Sequence, residues 1–476
     1  MPTVAGDAMV ASSHPLASAA GLEAFRAGGN AVDAALAAAV VLAFAEPTDN
    51  GLGGDAFALV WHGGRLHGLN GSGRAPAVID ELRVDETGPR SVTVPGAVRA
   101  WADLAAKFGR FGLDRALARG AELAARGVAC TPRIAHKWAG AGATLFPVPA
   151  VGERFVLPDL AETLTLLATD GPEAFYRGRI AEAIASASWL DESDLASHSS
   201  EWVKPLRHRY RGVEVCELPP NGQGAAALIA LGLYEGLEPG LHSQLESMKL
   251  ALADVYAHVG DGPLPEALLD PSHLAARRAL VEPTCALDPR PSVLPGGGTT
   301  YLCAVDADGT AISLIQSIFG TFGSGVVAPG TGIVLQNRAA GFVAQEAHPN
   351  RLAAGRRPFH TIIPGMLLEG GALLGPFGVM GGAMQPQGHV QVLLNLLEFG
   401  MDPQEAVDAA RFRHLAGRRL AVERLDPRTR AQLEALGHEL VEMTPSDFGG
   451  AQLVMRLERG WAAASDPRKD GMAAGH

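Results

Sequence analysis

The stretch that most constrains this chain runs from Gly296 to Arg338. Three glycines, Gly296-Gly297-Gly298, precede Thr299-Thr300-Tyr301 and an alternating apolar run that reaches Val305. Asp308-Gly309 then marks a hairpin turn, and a second strand-like run follows from Ala311. The glycines make a thin backbone that another group can approach, and the two threonines open a core strand. A threonine hydroxyl is a weak nucleophile and needs a nearby base. An α-amine titrates at about 7.7–8.0, so its neutral form is available near neutral pH. Cleavage before Thr299 would therefore put the missing base on the nucleophile's own residue, and the small Gly298 would ease attack on the preceding carbonyl. From the residues alone, Thr-Thr at a strand start is also ordinary β-propensity, and that alternative stays open at this point.

The length of 476 residues allows two conventional domains or one large α/β unit. A net charge of −12, with no basic run, argues against nucleic acid or an anionic membrane as partner. Charged residues make up only 19% and glycines number 58, which points to tight backbone packing in an enzyme-like body. Cys130, Cys216, Cys285 and Cys303 are scattered and form no CxxC pair, so they read as reduced small hydrophobes. Met1 to Asp7 carries no secretory signal, and the apolar run Ala31 to Ala45 contains Asp33 and is short for a bilayer. The expected location is the cytoplasm. There is no P-loop, HExxH or GxSxG. His348, His360, His389 and His414 share the C-terminal third without ligand spacing on one helix, so they read as core or solvated histidines. No metal and no cofactor is expected.

Along the chain, residues 9–13 read as a strand, and 16–27 and 31–46 as helices, with Asn30 capping the second. That second helix is apolar nearly all round and should be buried. Asn50-Gly51-Leu52-Gly53-Gly54-Asp55 is a glycine turn entering a strand, the wrong context for nucleotide binding. Ser72 and Arg74 lie in a loop that follows a second strand, a natural place for a binding residue or for a plain solvated arginine. Helical periodicity covers residues 113–125, 160–168, 173–187, 225–233 and 246–259. Residues 263–298 are rich in proline and charge and read as the most linker-like segment. Further on, residues 366–368 and 372–374 read as a strand pair, and helices and strands alternate to Asp466–Gly471, which closes the chain.

With Met9–Pro15, Gly28–Ala35, Val94-Pro95-Gly96, Phe175–Gly178, Thr299-Thr300, Phe322–Gly325 and Ala464–Arg468 in this order, the sequence resembles the γ-glutamyltranspeptidase family of N-terminal-nucleophile hydrolases. The resemblance implies an α+β fold, a four-layer αββα sandwich made as one compact precursor. It implies self-cleavage between Gly298 and Thr299, giving fragments 1–298 and 299–476 that partner each other in one folded unit, with a homodimer also open. Carried over position by position, Thr299 matches the nucleophile, and Ser317 stands where a threonine assists self-cleavage. Gly381-Gly382 matches the pair whose N–H groups form the oxyanion hole.

Departures from the family pattern bear on the substrate. The arginine that holds an α-carboxylate is Ser72 here, with Arg74 two residues along. The stretch that grips an α-ammonium is replaced by Gln336-Asn337-Arg338-Ala339-Ala340-Gly341, and a serine pair by His360-Thr361. The segment between Phe342 and Arg357 is about ten residues shorter than in transpeptidases, which removes a lid and favours water over amine acceptors. Arg338 should repel an α-amino acid and attract a carboxylate, unless it serves a structural salt bridge. Gln385 borders the pocket in this reading, or merely opens a helix, as does His389. The expected substrate is a small-molecule amide with a carboxylate, of oxamate or glutaryl type, similar to the branch containing oxamate amidohydrolase and cephalosporin-acylase-like proteins. Glutathione-like γ-glutamyl amides and an uncleaved ligand-binding pseudoenzyme are the competing readings.

Overall fold

Side-chain alternation along the strand Gly298–Val305 sets the architecture of the computed structural model, which describes residues 1–141, 145–289 and 298–476. Leu302 and Ala304 join a cluster with the helix Ala31–Ala45, while Tyr301, Cys303 and Val305 join another that includes Met366, Leu368 and Val454. A strand apolar on both faces must be covered on both sides. One face meets helices and the other meets a second sheet.

The first sheet runs, in spatial order, Met472–Gly475, Met9–Ser12, Gly298–Val305, Ala311–Phe319, Asp55–His62, Arg65–Asn70 and Glu201–Val203. The second runs Thr3–Ala5, Trp461–Ser465, Gly450–Arg456, Ala372–Met380, Gly365–Glu369, Val213–Glu217 and Leu206–Tyr210. Every pairing in both sheets is antiparallel. Helices Pro15–Arg26, Ala31–Ala45 and Ala97–Phe108 cover the first sheet, and Gly224–Tyr234, Leu241–His258 and Gln385–Leu397 cover the second. The result is the four-layer αββα sandwich. Both sheets mix strands from before and after Thr299, so the two halves of the chain share one core.

The helix Ala31–Ala45 is buried at every position and starts with a capping box between Asn30 and Asp33, as its composition implies. Cys216 and Cys303 pack between the sheets, but Cys285 is exposed and is no core residue. Three other expectations need correction. Part of the linker-like stretch is ordered: Glu266–Leu269 is a 3₁₀ turn and Pro271–Arg278 a helix, too short and too charged to show a period. Residues 290–297, including Gly296 and Gly297, lie outside the described residues. The helix expected over 173–187 is broken after Tyr176 and restarts at Arg179. Asp466–Gly471 does not end the structure, because Met472–Gly475 pairs with Met9–Ser12 at a sheet edge. Its alanines carry no β-propensity, so pairing and not composition makes that strand. Among the described residues no helix is long and apolar enough to cross a membrane.

The sheets meet closely where Gly378 faces Tyr301: a Cβ at Gly378 would lie 2.3 Å from the tyrosine ring. Tyr301 also shares a 2.8 Å hydrogen bond with Ser313. Gly378→Val should lower the melting temperature by an overpacking cost of about 1–3 kcal/mol. Tyr301→Phe, which removes one hydrogen bond, should cost only ~1 kcal/mol. Thermal unfolding of both variants checks this, and a Gly378→Val protein as stable as Tyr301→Phe would contradict the contact.

Candidate active site

Thr299 is second in its strand and only 2% exposed. The pairing with Ala311–Phe319 slips here, because Gly298 faces Phe319 while Thr300 faces Gln316. Two residues, Ser317 and Ile318, thus oppose the single Thr299, which is a β-bulge of the kind that re-aims a side chain. The bulge aims Ser317. Its hydroxyl donates to the carbonyl of Gly298 at 2.7 Å and accepts from the N–H of Phe319 at 2.8 Å. Phe319 holds a φ of 75°, a sparsely populated conformation for an aromatic residue.

The other side of Gly298 is closed by Asp49. A Cβ at Gly298 would lie 1.9 Å from the Asp49 carboxylate, so no other residue fits without movement. Both Asp49 oxygens accept from Lys137 at 2.7 Å, and the backbone carbonyl of Asp49 accepts from Ile318. Glu46 is close by, bonded by Ser13, and burial pushes its carboxyl up to about 7.

Gln385 opens its helix with the amide fixed at both ends. Its Oε1 accepts from the N–H of Ile363 at 3.0 Å, and its Nε2 donates to Thr299 Oγ1 at 3.2 Å. Gly381 and Gly382 form the turn just before, at φ of 123° and 59°, which favours glycine. The Gly382 carbonyl is tied back by Gln223 Nε2, which also donates to the carbonyl of Thr361. His389 serves this turn from behind, accepting from the N–H of Val379 and bonding Glu217 at 2.7 Å.

Arg338 is fully buried. It donates to Ser317 Oγ at 3.2 Å and Thr361 Oγ1 at 3.0 Å, and its guanidinium lies 4.2 Å from the Phe319 ring centre. Burial lowers its pKa to about 9, opposed by the charge of Asp55. Asp55 is the hub of the neighbouring network. It accepts from the N–H groups of Gly73 and Gly96 and from Gln336 Nε2, and it pairs with His360 at 3.0 Å. The N–H of His360 donates to the Asn221 carbonyl, and Asn221 Nδ2 donates to Ser72 Oγ at 3.1 Å.

The fold therefore pairs Thr299 with Gln385 and joins Ser317, Arg338 and Thr361 by hydrogen bonds, the two groups meeting at Gly298; His360 bonds Asp55 and, through Asn221, is linked to Ser72. Arg338 serves no salt bridge among the described residues. Arg74 is engaged elsewhere, by Glu201 at 2.7 Å, Asp261 at 3.1 Å and the Gly355 carbonyl. Asn337 spends both amide ends on backbone, the N–H of Gly320 and the carbonyl of Glu86. Asp49, Asp55 and Asn221 were not singled out from sequence. The signal for the first two was that Asp49 immediately precedes and Asp55 ends the glycine run, whose Gly54 packs against the Ser317 carbonyl (2.3 Å from an added Cβ). His242, Glu246 and His438 also converge within 4.8 Å. The Lys249 ammonium already donates to Glu246 there at 2.8 Å, and a second cation would meet its repulsion.

Two antiparallel sheets between helical layers, with a threonine at the start of a central strand, are the N-terminal-nucleophile hydrolase fold. The crystal structure of cephalosporin acylase from Bacillus halodurans matches it with a TM-score of 0.95 at 40% identity, over 100% of this chain and 97% of that one. A model of the family described as gamma-glutamyltranspeptidase matches residues 17–476, and the chain belongs to that family of enzymes. It is 35% identical to the glutathione hydrolase-like YwrD proenzyme of Bacillus subtilis (strain 168), with 98% of each covered. It is 32% identical to the oxamate amidohydrolase proenzyme of Klebsiella pneumoniae, again with 98% of each covered.

Burial also sets a pH dependence. His14, His198, His360 and His414 are pushed down to about 4, and His438 to about 3, each chiefly by desolvation of the charged ring. Between the ordinary value near 6.5 and about 4 the unfolded chain binds protons that the folded one refuses, so stability falls as pH drops through that window. Glu46, raised to about 7, acts in the opposite sense, as do Glu217 and Asp103, while His67 and His208 are lowered like the other histidines. The melting temperature should be lower at pH ~5 than at pH ~7; a flat or inverted profile would contradict the neutral buried imidazoles.

Proposed function

We propose that the chain is a precursor that cuts itself between Gly298 and Thr299, and that Thr299 then hydrolyses an amide whose acyl part carries a carboxylate and no α-ammonium. The observation that carries this reading is the 2.7 Å bond from Ser317 to the Gly298 carbonyl. That carbonyl is the one the Thr299 hydroxyl would attack, so a donor already waits where negative charge develops. The fragments would be 1–298 and 299–476, and the proenzyme names of two relatives agree with such a cut.

In the mature form the freed α-amine of Thr299 takes the proton from its own Oγ as that oxygen attacks the substrate carbonyl. The leaving amine departs with the proton, and water then hydrolyses the Thr299 ester with the α-amine again as base. Gln385 orients the nucleophile's oxygen through its 3.2 Å bond. The N–H groups of Gly381 and Gly382 would hold the oxyanion.

Substrate class rests on Arg338. At a pKa of about 9 it is still a cation at neutral pH, in an interior that screens charge poorly. An ammonium brought beside it is repelled, whereas a carboxylate pairs with it. Thr361 accepts from Arg338 at that end of the site, and His360 lies near its charge. The relative named for oxamate agrees with an acyl group that is not an amino acid. Arg74, the alternative anchor for a γ-glutamyl carboxylate, is already held by two acids.

The purified protein should run as two fragments, the smaller beginning Thr299-Thr300-Tyr301, while Thr299→Ala stays one chain. An uncut wild-type chain removes the reading. Oxamate or a glutaryl amide should be turned over with a kcat/KM at least about tenfold above that for a γ-glutamyl anilide, a difference of ~1.4 kcal/mol. The reverse order would remove the role given to Arg338.

A further inference from the structure

We propose that Arg338 has an earlier task as well: in the uncut chain it is a positioning residue for self-cleavage, acting on the Gly298 carbonyl through Ser317. This rests on the self-cleavage reading and goes beyond it, because it gives the buried cation a role before any substrate is bound.

A serine hydroxyl has one proton to give and two lone pairs to accept with. At Ser317 one lone pair takes the N–H of Phe319 at 2.8 Å and the other takes Arg338 Nη2 at 3.2 Å. With both acceptor directions filled, the proton goes to the remaining partner, the Gly298 carbonyl at 2.7 Å. Ser317 is thereby fixed as a donor and cannot serve as the base. A cationic donor on its oxygen also polarises the O–H, which strengthens the bond it donates.

The guanidinium is held for this task. Its Nη1 reaches Thr361 at 3.0 Å and the Phe319 ring lies against it at 4.2 Å, so the fork cannot turn away from Ser317. No carboxylate forms a salt bridge with Arg338 among the described residues, and its Nε has no partner there. An unpaired buried cation is costly. Its charge is uncompensated on the side where an oxyanion forms.

In the step itself, Thr299 Oγ forms a bond to the Gly298 carbonyl carbon and the bond from that carbon to the Thr299 nitrogen breaks. The proton of the attacking hydroxyl ends on the departing nitrogen, which becomes the α-amine. Water then hydrolyses the ester: its oxygen bonds the Gly298 carbonyl carbon, one of its protons goes to Thr299 Oγ and the other to the new α-amine, leaving a carboxylate on Gly298 and an ammonium on Thr299. Ser317 keeps its proton throughout, and Arg338 stabilises the intermediate's negative oxygen at one remove.

The test follows newly translated full-length chain in a cell-free system and measures its conversion to two fragments. Ser317→Ala, which removes the donor, should slow conversion about 100- to 1,000-fold, and Arg338→Met, which only weakens it, about tenfold or more. Because Arg338 acts through Ser317, the double variant should be no slower than Ser317→Ala alone. Conversion of Arg338→Met at the wild-type rate, or a double variant slowed by the product of the two effects, would overturn the proposal. Thr361→Val keeps the arginine and cuts only its far anchor; it should be several-fold slower, and an unchanged rate would count against the proposal even if Arg338→Met does not fold. The full chain with Thr299→Ala stays uncut whatever Arg338 does, so Thr299→Ala/Arg338→Met should fold and melt close to Thr299→Ala alone; failure to fold would make the residue merely structural. A wild-type chain that stays whole removes this inference and the self-cleavage reading together, whereas a wild-type chain that cuts beside an Arg338→Met chain that cuts equally fast removes this inference alone.

Discussion

A hydroxyl that aims its only proton at one backbone carbonyl needs everything around it held still, and five features hold the bond from Ser317 to Gly298. The bulge opposite Thr299 sets the side chain's direction. Phe319 and Arg338 fill its acceptor positions. Gly54 packs against its own carbonyl, and Asp49 closes the far side of Gly298. These contacts come from different parts of the chain, and only the stacked sheets hold them together to within a hydrogen bond's tolerance. The large inter-sheet core is thus the reason the site can be precise.

Charge is the second constraint. Asp55 and Arg338 are both buried, yet they do not form a close pair. Asp55 is satisfied by two backbone N–H groups, Gln336 and His360, which is a full set of partners for a carboxylate. Among the described residues, Arg338 has hydroxyls and a ring and no carboxylate as close partners. The network therefore satisfies the carboxylate with hydrogen bonds and leaves the cation with capacity for an anion. His360, kept neutral by burial and by the nearby guanidinium, can bond Asp55 without adding positive charge that would compete.

Much of this was legible in the sequence, and the parts that were not share a cause. The hairpin around Asp308-Gly309, the buried helix from Ala31 and the cap at Asn30 follow from local pattern, and the structure agrees with each. Thr299, Ser317, Arg338 and Gln385 were reachable because motif order gave each a position, and the fold does bring them together. Asp55 and Asn221 were missed because their significance lies in partners far along the chain, Asp55 with His360 and Asn221 with Ser72. No periodicity records such pairs. The same holds for Met472–Gly475, a strand only because Met9–Ser12 lies beside it. Arg74 shows the converse: its loop suggested a binding role, and distant acids hold it instead.

The central claim is that Thr299 carries the acyl group of a carboxylate-bearing amide. Rapid acid quench during turnover of a glutaryl amide, followed by mass spectrometry of the peptide that begins at Thr299, tests it most directly. The account predicts that this peptide gains the mass of the glutaryl group as an ester lost on mild base treatment. Acyl mass on any other residue, or a peptide in which residue 299 is still joined to Gly298 in enzyme that turns over, would contradict it.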